Sequence, residues 1–214
     1  MAYLIDLFLH LDVHLAALVA QYGVLVYAGL FAVIFAETGL VVTPFLPGDS
    51  LLFAAGALAA SGAMNLTLVL ALIAAAAILG NTVNYAIGRA IGPRVFVAND
   101  GASVQSRLLN RKHLDRAHTF FEGHGAIAVI SSRFAPIIRT FVPFVAGAAS
   151  MPAPKFLLYN VIGGVLWTAL CVGAGYAFGN VPVVKNNFSL VALGIVAVSL
   201  IPMIVEIVRA RKAA

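Results

Sequence analysis

The chain has 214 residues, of which 62% are hydrophobic and 10% are charged, and its mean hydropathy is +1.03. So few charges exclude an ordinary soluble domain, and the composition predicts one integral membrane domain, residues 1–214. The net charge of +5 does not indicate nucleic-acid binding, because the basic residues flank apolar segments, where Lys and Arg report topology. The single cysteine, Cys171, falls within an apolar segment and indicates no redox chemistry.

The first part of the chain is predicted to lie at the membrane surface. In residues 1–20, leucines recur at helical spacing while Asp and His residues occupy other faces, which is typical of an interfacial amphipathic helix. These residues lack the basic start and the cleavage site of a signal peptide. Residues 22–36 are apolar, but their pattern does not decide whether they fully span the bilayer.

Two apolar segments, 37–62 and 125–150, are interrupted in their middle. Each arm of the first segment has about 10 to 14 residues, whereas a spanning helix needs about 20, so a re-entrant hairpin is predicted. The second segment likewise consists of two short apolar arms around a break, so it is also predicted to be a re-entrant hairpin. The predicted breaks are Pro44, Pro47, Gly48, Pro136 and Pro143.

Each broken segment carries two ionisable residues, which are Glu37 and Asp49 in the first and Arg133 and Arg139 in the second. An ionisable side chain at membrane depth costs about 2.5 to 3.5 kcal/mol on insertion scales, so these four are candidates for a functional site. The alternative is a structural quartet of salt bridges that holds the hairpins together. Buried ion pairs are weak evidence for such a stabilising role.

The chemistry of these side chains favours a phosphate and a proton. A guanidinium makes bidentate hydrogen bonds to phosphate, and a carboxylate is a natural proton carrier, so phosphate binding is assigned to the arginines and proton coupling to the acids. Ser50 and Thr140 are predicted to cap the second arm of each hairpin, where free backbone N–H groups would contact an anion. We expect the phosphate and the proton to occupy the site together.

The rest of the chain is predicted to form spans and cytoplasmic connections. The predicted spans are 66–88, 156–179 and 189–208. The connection at 89–123 carries six of the thirteen basic residues, so it is predicted to be cytoplasmic, and the basic C-terminal tail likewise. In the first span, Asn81 and Asn84 share a helical face and are expected to hydrogen bond to a neighbouring helix.

An internal repeat relates the two halves. A shift of 91 residues lays Phe53 on Phe144, Ala55-Gly56 on Ala146-Gly147, and Tyr85-Ala-Ile-Gly88 on Tyr176-Ala-Phe-Gly179. The positions of the basic clusters indicate that the spans of the two halves run in opposite directions. The predicted fold is an all-α membrane protein: an inverted repeat of two re-entrant hairpins, each followed by a transmembrane helix, with interfacial amphipathic helices.

The motifs of the broken segments resemble the signature segments of the DedA family of bacterial inner-membrane proteins, within the wider VTT-domain (SNARE-associated) group. These motifs are Glu37-Thr-Gly, Pro44-Phe-Leu-Pro-Gly-Asp49 and Arg133-Phe-Ala-Pro-Ile-Ile-Arg139-Thr-Phe-Val-Pro-Phe-Val-Ala-Gly147. The resemblance covers nearly the whole chain. By similarity, it carries over the functional set Glu37, Asp49, Arg133 and Arg139.

The resemblance implies a lipid transporter of the bacterial inner membrane, dependent on the proton motive force and linked to membrane and envelope homeostasis. Its substrate would be undecaprenyl phosphate during carrier recycling, or a phospholipid such as phosphatidylethanolamine. We expect no cofactor, with protons as the coupling ion, and the lipid bilayer as the surrounding partner. Assembly into a homo-oligomer is left open.

Functions of other classes use the same residues differently. A membrane lipid phosphatase would need a histidine six residues after Arg133, where Arg139 stands, and a serine hydrolase would need a nucleophile elbow, so no enzyme activity is expected. A proton-coupled antiporter for small cations would use Glu37 and Asp49. A structural or insertion factor would use the hairpins without transport.

The sequence also predicts no metal site. His113, His118 and His124 do not share a helical face, so they are not expected to bind one ion together.

Overall fold

The computed structural model describes residues 11–39, 48–97, 111–135 and 138–182, with isolated positions at 184–194 beyond them. Within those ranges the regular elements are all helical, which confirms the predicted all-α class. The elements are α1 Leu11–Tyr22, α2 Leu25–Gly39, α3 Gly48–Ala60, α4 Leu66–Val97, α5 Arg111–Ser131, a 3-10 helix Ser132–Phe134, α6 Ile138–Ala148 and α7 Ala153–Phe178.

Two of these helices are long and apolar enough to cross a membrane. They are the parts of α4 and α7 at Leu66–Gly92 and Ala153–Phe178, which coincide with the predicted spans 66–88 and 156–179. Helix α4 continues past the predicted end, because Arg89 and Ala90 are good helix formers and do not stop a helix. The third predicted span, 189–208, lies almost wholly outside the described residues.

The apolar stretch after residue 20 is divided by a turn. Gly23 has φ of +52°, a left-handed conformation that glycine adopts without strain, and it separates α1 from α2. Helix α2 has 15 residues, which at about 1.5 Å per residue is shorter than the hydrocarbon core of a bilayer. The predicted interfacial helix at 1–20 overlaps α1, and its first ten residues lie outside the described residues.

The predicted breaks have different outcomes. Pro44, Pro47 and Pro136 lie outside the described residues, and Gly48 is the first residue of α3. The prediction that Pro143 breaks the second segment is wrong, because α6 continues through it from Ile138 to Ala148. A proline removes the hydrogen bond that its missing N–H would make to the residue four positions earlier and crowds the carbonyl of that residue, which bends a helix without necessarily ending it. The helical bonds that follow are kept.

A second boundary also differs from the prediction. Helix α5 runs through Gly123 and Gly125, where the connection 89–123 was predicted to end and the broken segment 125–150 to begin. Glycine inside a helix costs about 1 kcal/mol relative to alanine. Packing offsets this at Gly125, where a Cβ atom would lie 3.0 Å from Met151 Cε, and Met151 belongs to a buried cluster with Phe121 and Val129.

The described residues belong to two compact units. Unit 1 comprises Met1–Phe35, Phe45–Ala76 and Val165–Ala214, and unit 2 comprises Ala36–Pro44 and Ala77–Gly164. Each long helix therefore contributes one part to each unit.

In unit 1, α3 packs against the second half of α7 with almost no space between the backbones. A Cβ atom at Gly56 would overlap the carbonyl of Val172, and a Cβ atom at Gly175 would overlap the carbonyl of Phe53. The next small pair along the contact is Gly179 and Ala57. Residues 175 and 179 form a Gly-x-x-x-Gly spacing, which is typical of closely packed membrane helices.

In unit 2, α6 packs in the same way against the second half of α4. A Cβ atom at Gly147 would overlap the carbonyl of Tyr85, one at Gly88 would overlap the carbonyl of Phe144, and one at Gly92 would overlap Ala148. Residues 88 and 92 again have the Gly-x-x-x-Gly spacing. The same contact pattern thus occurs once in each unit.

The two contact patterns correct the register of the predicted repeat. Phe53 corresponds to Phe144 at the shift of 91 residues that the sequence suggests. The glycines they meet, Gly175 and Gly88, correspond at a shift of 87, so the long helices are offset by four residues from the sequence alignment. Four residues are about one helical turn, so the predicted match of Gly88 with Gly179 is one turn out of register.

Both short helices end in the same C-terminal cap, known as a Schellman motif. After α3, the N–H of Ala63 donates to Leu58 O at 3.0 Å and that of Gly62 to Ala59 O at 3.1 Å. After α6, the N–H of Met151 donates to Ala146 O at 3.0 Å and that of Ser150 to Gly147 O at 2.9 Å. The left-handed position is a glycine in the first motif, φ +81°, and a serine in the second, φ +58°.

Candidate functional site

A buried ion pair joins the two broken segments inside unit 2. Glu37 lies in the last turn of α2 and Arg139 is the second residue of α6, and their exposed fractions are 0% and 3%. Arg139 Nη2 donates to Glu37 Oε1 in a salt bridge. Removing one member of such a pair would leave a buried charge without its partner, so the two residues depend on each other.

Asn84 of α4 fixes the backbone beside both members of this pair. Its side-chain amide donates to Thr38 O at 3.3 Å and to Thr140 O at 2.8 Å, and Asn84 is fully buried. Thr38 follows Glu37, and Thr140 follows Arg139. One side chain therefore connects the end of α2 with the start of α6, which agrees with the helix-to-helix hydrogen bonding expected of Asn84.

Arg133 lies in the 3-10 helix before α6, also in unit 2, and is 1% exposed. Its Nη2 donates to Oδ1 of Asn160 in α7 and to Ala77 O in α4 at 3.3 Å. With the Asn81 amide oriented so that its oxygen faces the guanidinium, Arg133 Nε and Nη2 donate to it at 3.2 and 3.0 Å. These partners are a carbonyl and two neutral amides.

The side chain of Asn160 is itself held in one orientation. Its amide nitrogen donates to Ile78 O at 3.0 Å and to Thr82 Oγ1 at 3.2 Å. Both N–H groups of the amide therefore donate to acceptors on α4, which leaves the amide oxygen facing Arg133.

The described charges of unit 2 do not balance. Among the described side chains of this unit, Glu37 is the carboxylate, and its salt bridge is with Arg139. Arg133 takes part in no ion pair between described residues, its Nη1 has no hydrogen-bond partner among them, and the charge of Arg139 repels it. Two buried guanidinium groups thus accompany one buried carboxylate, which is an environment that favours an additional anion.

Asp49 belongs to unit 1, where it is the second residue of α3 and is partly buried. Its Oδ1 accepts a hydrogen bond from Nε1 of Trp167, at 3.0 Å, and Trp167 is 1% exposed. A carboxylate in the first turn of a helix also interacts favourably with the positive end of the helix dipole.

The two predicted cap residues lie slightly inside their helices. Since α3 begins at Gly48 and α6 at Ile138, Ser50 and Thr140 are each the third helical residue rather than the cap. Both are buried. Their contact with an anion stays a prediction, as do the functions assigned to Glu37, Asp49, Arg133 and Arg139.

Some residues of these networks were not singled out from the sequence. Asn160, Thr82 and Trp167 all lie in apolar spans, where a polar or amphipathic side chain is itself a signal. The Gly-x-x-x-Gly spacings in α4 and α7 were a second such signal. Among the described residues, no group of three or more His, Cys, Asp or Glu residues could hold a metal ion.

Comparison with known proteins agrees with the apolar spans, because several relatives are membrane proteins by name. A model of the VTT domain matches residues 46–177, which identifies the chain as a membrane protein of the VTT-domain class. The chain is 51% identical over 214 residues to the protein DedA of Escherichia coli K12, covering 99% of this chain and 95% of that protein. This chain therefore belongs to the DedA family.

Other relatives extend this picture. The chain is 44% identical over 194 residues to an uncharacterized membrane protein of Mycobacterium tuberculosis, covering 90% of this chain and 83% of the relative. It is 38% identical over 162 residues to the inner membrane protein YghB of Escherichia coli K12, covering 76% and 72%. No solved structure matches the chain.

Proposed function

We propose that this protein is a flippase that moves a phosphate-bearing lipid across the bacterial inner membrane, coupled to the proton motive force. The lipid is undecaprenyl phosphate during carrier recycling, or a phospholipid, and its transport supports membrane and envelope homeostasis. The protein acts without enzyme activity or a cofactor. Arg133 and Arg139 bind the phosphate, and Glu37 and Asp49 carry the coupling proton.

The observation that carries this proposal is the excess of buried positive charge among the described residues of unit 2, where Arg133 and Arg139 accompany the carboxylate of Glu37. A buried cationic site attracts an anion and repels a small cation. This disfavours the alternative of a proton-coupled cation antiporter. A guanidinium also presents the planar fork of donors that suits a phosphate.

The membrane arrangement is part of the proposal. The segments 37–62 and 125–150 enter the bilayer as re-entrant hairpins, and the two halves form an inverted repeat around a site near the midplane. The connection at 89–123 and the C-terminus lie in the cytoplasm of a multi-pass inner-membrane protein. In support, large apolar side chains are exposed along α7, including Leu158 and Leu170 at 56% and 59%, as expected of a helix in contact with lipid.

The experiment is transport of a labelled lipid phosphate in liposomes of defined composition, with and without a pH gradient. The parent protein should transport it, and faster with the gradient. Arg133→Lys and Arg139→Lys should each slow transport by about tenfold or more at near-normal membrane levels, because lysine keeps the charge but loses the bidentate fork. Parent-like transport by both lysine variants contradicts phosphate binding by these arginines. Severe defects confined to Glu37 and Asp49 variants would favour the antiporter.

A further inference from the structure

The two buried arginines of unit 2 have different kinds of partner. Arg139 is paired with the carboxylate of Glu37, whereas Arg133 donates to the side-chain amides of Asn160 and Asn81. An amide accepts a hydrogen bond from a guanidinium but does not cancel its charge. The charge of Arg133 therefore stays uncompensated among the described residues, and that of Arg139 does not.

The hydrogen bonds around Asn160 have a fixed direction. Thr82 Oγ1 donates to Ile78 O at 2.7 Å, so the hydroxyl has used its proton and its oxygen is left to accept. The amide nitrogen of Asn160 donates to this oxygen at 3.2 Å and to Ile78 O at 3.0 Å. Asn160 must therefore direct its oxygen to Arg133, and no rotation of the amide is available without losing these bonds.

The surroundings also hold the guanidinium in place by close packing. Gly163 and Gly164 of α7 lie against it, since a Cβ atom at Gly163 would be 3.4 Å from Arg133 Cγ and one at Gly164 would be 3.5 Å from Arg133 Nη2. Arg133 Nη1 remains without a hydrogen-bond partner among the described residues. The side chain is thus positioned by neutral groups, with donor capacity left for a ligand.

We propose that Asn160 and Asn81 are positioning residues that hold Arg133 without supplying a counter-charge, so that Arg133 is the first guanidinium to receive the phosphate. Arg139, which also holds Glu37, is the second phosphate contact. This inference rests on the proposed function and adds to it a division of roles between the arginines. The inference requires the side chains at positions 160 and 81 to be uncharged as well as able to accept a hydrogen bond from Arg133.

The test replaces each amide by the carboxylate of the same shape. In Asn160→Asp, the new carboxylate faces Arg133 and compensates its charge. Binding of farnesyl phosphate and of farnesol to the detergent-purified full chain is compared, because the two probes differ only in the phosphate. The parent should prefer farnesyl phosphate, and Asn160→Asp should lose about tenfold or more of that preference, since the new ion pair competes with the ligand phosphate.

A second readout separates positioning from a merely structural role. Asn160→Asp loses the two hydrogen bonds that the amide nitrogen donates to Ile78 O and Thr82 Oγ1, so the readout is farnesol binding, which should stay like that of the parent while the preference for farnesyl phosphate is lost. Asn65→Asp is the matched control: Asn65 is exposed, its Oδ1 accepts from Leu68 N at 3.0 Å as the cap of α4, and aspartate caps equally well. This control should bind both probes like the parent.

The outcomes are distinguishable. A parent that binds both probes equally contradicts the proposed function itself. A parent with the preference, together with Asn160→Asp and Asn81→Asp variants that retain it, overturns only the positioning role. An equal loss of farnesyl phosphate and farnesol binding in both aspartate variants also overturns it, because the defect is then not specific to the phosphate.

Discussion

Trp167 donates its indole N–H to a carboxylate oxygen of Asp49 at 3.0 Å, and this contact lies within unit 1. Trp167 is almost fully buried while Asp49 is partly buried, so the tryptophan is the fixed member of the pair and the carboxylate is oriented by it. A hydrogen bond to a charged group contributes about 1.5 to 3 kcal/mol, which is enough to control the position of the carboxylate that we propose carries the coupling proton.

We therefore expect Trp167→Phe to reduce gradient-driven transport by about tenfold, since an aromatic ring is kept and one charge-assisted hydrogen bond is lost. The measurement is lipid transport in liposomes with and without a pH gradient. In an Asp49→Asn background the same substitution should have a much smaller effect, because the charged partner is already absent. Equal effects in the two backgrounds would mean that Trp167 does not act through Asp49.

The Glu37–Arg139 pair predicts a strong thermodynamic coupling. Arg139→Gln leaves the Glu37 carboxylate buried without its cation, so the free energy of unfolding should fall by about 3 to 5 kcal/mol. Glu37→Gln should also destabilise, and the double variant should recover part of the loss because neither member of the pair is left as a charge without its partner. Denaturation of all four proteins in one detergent measures this. Additive effects of the two single substitutions would contradict the coupling.

The close packing of unit 1 predicts opposite effects for two neighbouring glycines of α7. A methyl group at Gly175 would overlap the carbonyl of Phe53, so Gly175→Ala should lower the unfolding midpoint. A methyl group at Gly173 would meet nothing within 4 Å, so Gly173→Ala should leave the midpoint unchanged or raise it through better helix propensity. Thermal unfolding of the two variants checks this. An equal fall of the unfolding midpoint in both variants would show that the contact between α3 and α7 is not the cause of the destabilisation.

The buried ionisable residues of the candidate site stand out in the sequence, but their partners do not. Glu37 and Arg139 stand out because ionisable side chains are rare in apolar segments. They are 102 residues apart, however, and which acid meets which base depends on how α2 and α6 pack. The role of Asn160 is not visible in the sequence for the same reason, since its partners on α4 are about eighty residues away and give no local pattern.

The register of the repeat could not be predicted from the sequence for a different reason. Gly88 and Gly92 are four residues apart, and so are Gly175 and Gly179, so a sequence shift of 87 or 91 residues aligns glycine with glycine either way. The register becomes visible only from which carbonyl each glycine meets. Pro143 shows that a residue-type rule can also mislead, because the loss of one hydrogen bond does not end a helix that packs well on both sides of it.

The caps of the two short helices lead to the last prediction. Ser150 has φ of +58° at the position where Gly62 has +81°, and a left-handed conformation costs a residue with a Cβ atom about 1 to 2 kcal/mol. Because the Schellman bonds are made by backbone groups, Ser150→Gly keeps them and removes this strain, although glycine also gains entropy in the unfolded chain. We expect a net stabilisation of about 1 kcal/mol at most, measured by denaturation. The reciprocal variant, Gly62→Ser, should destabilise by a similar amount, and Ser150→Ala should be close to neutral because it keeps the Cβ atom. Destabilisation by Ser150→Gly would contradict this prediction. It would show that the serine side chain stabilises the turn by more free energy than the left-handed backbone conformation costs.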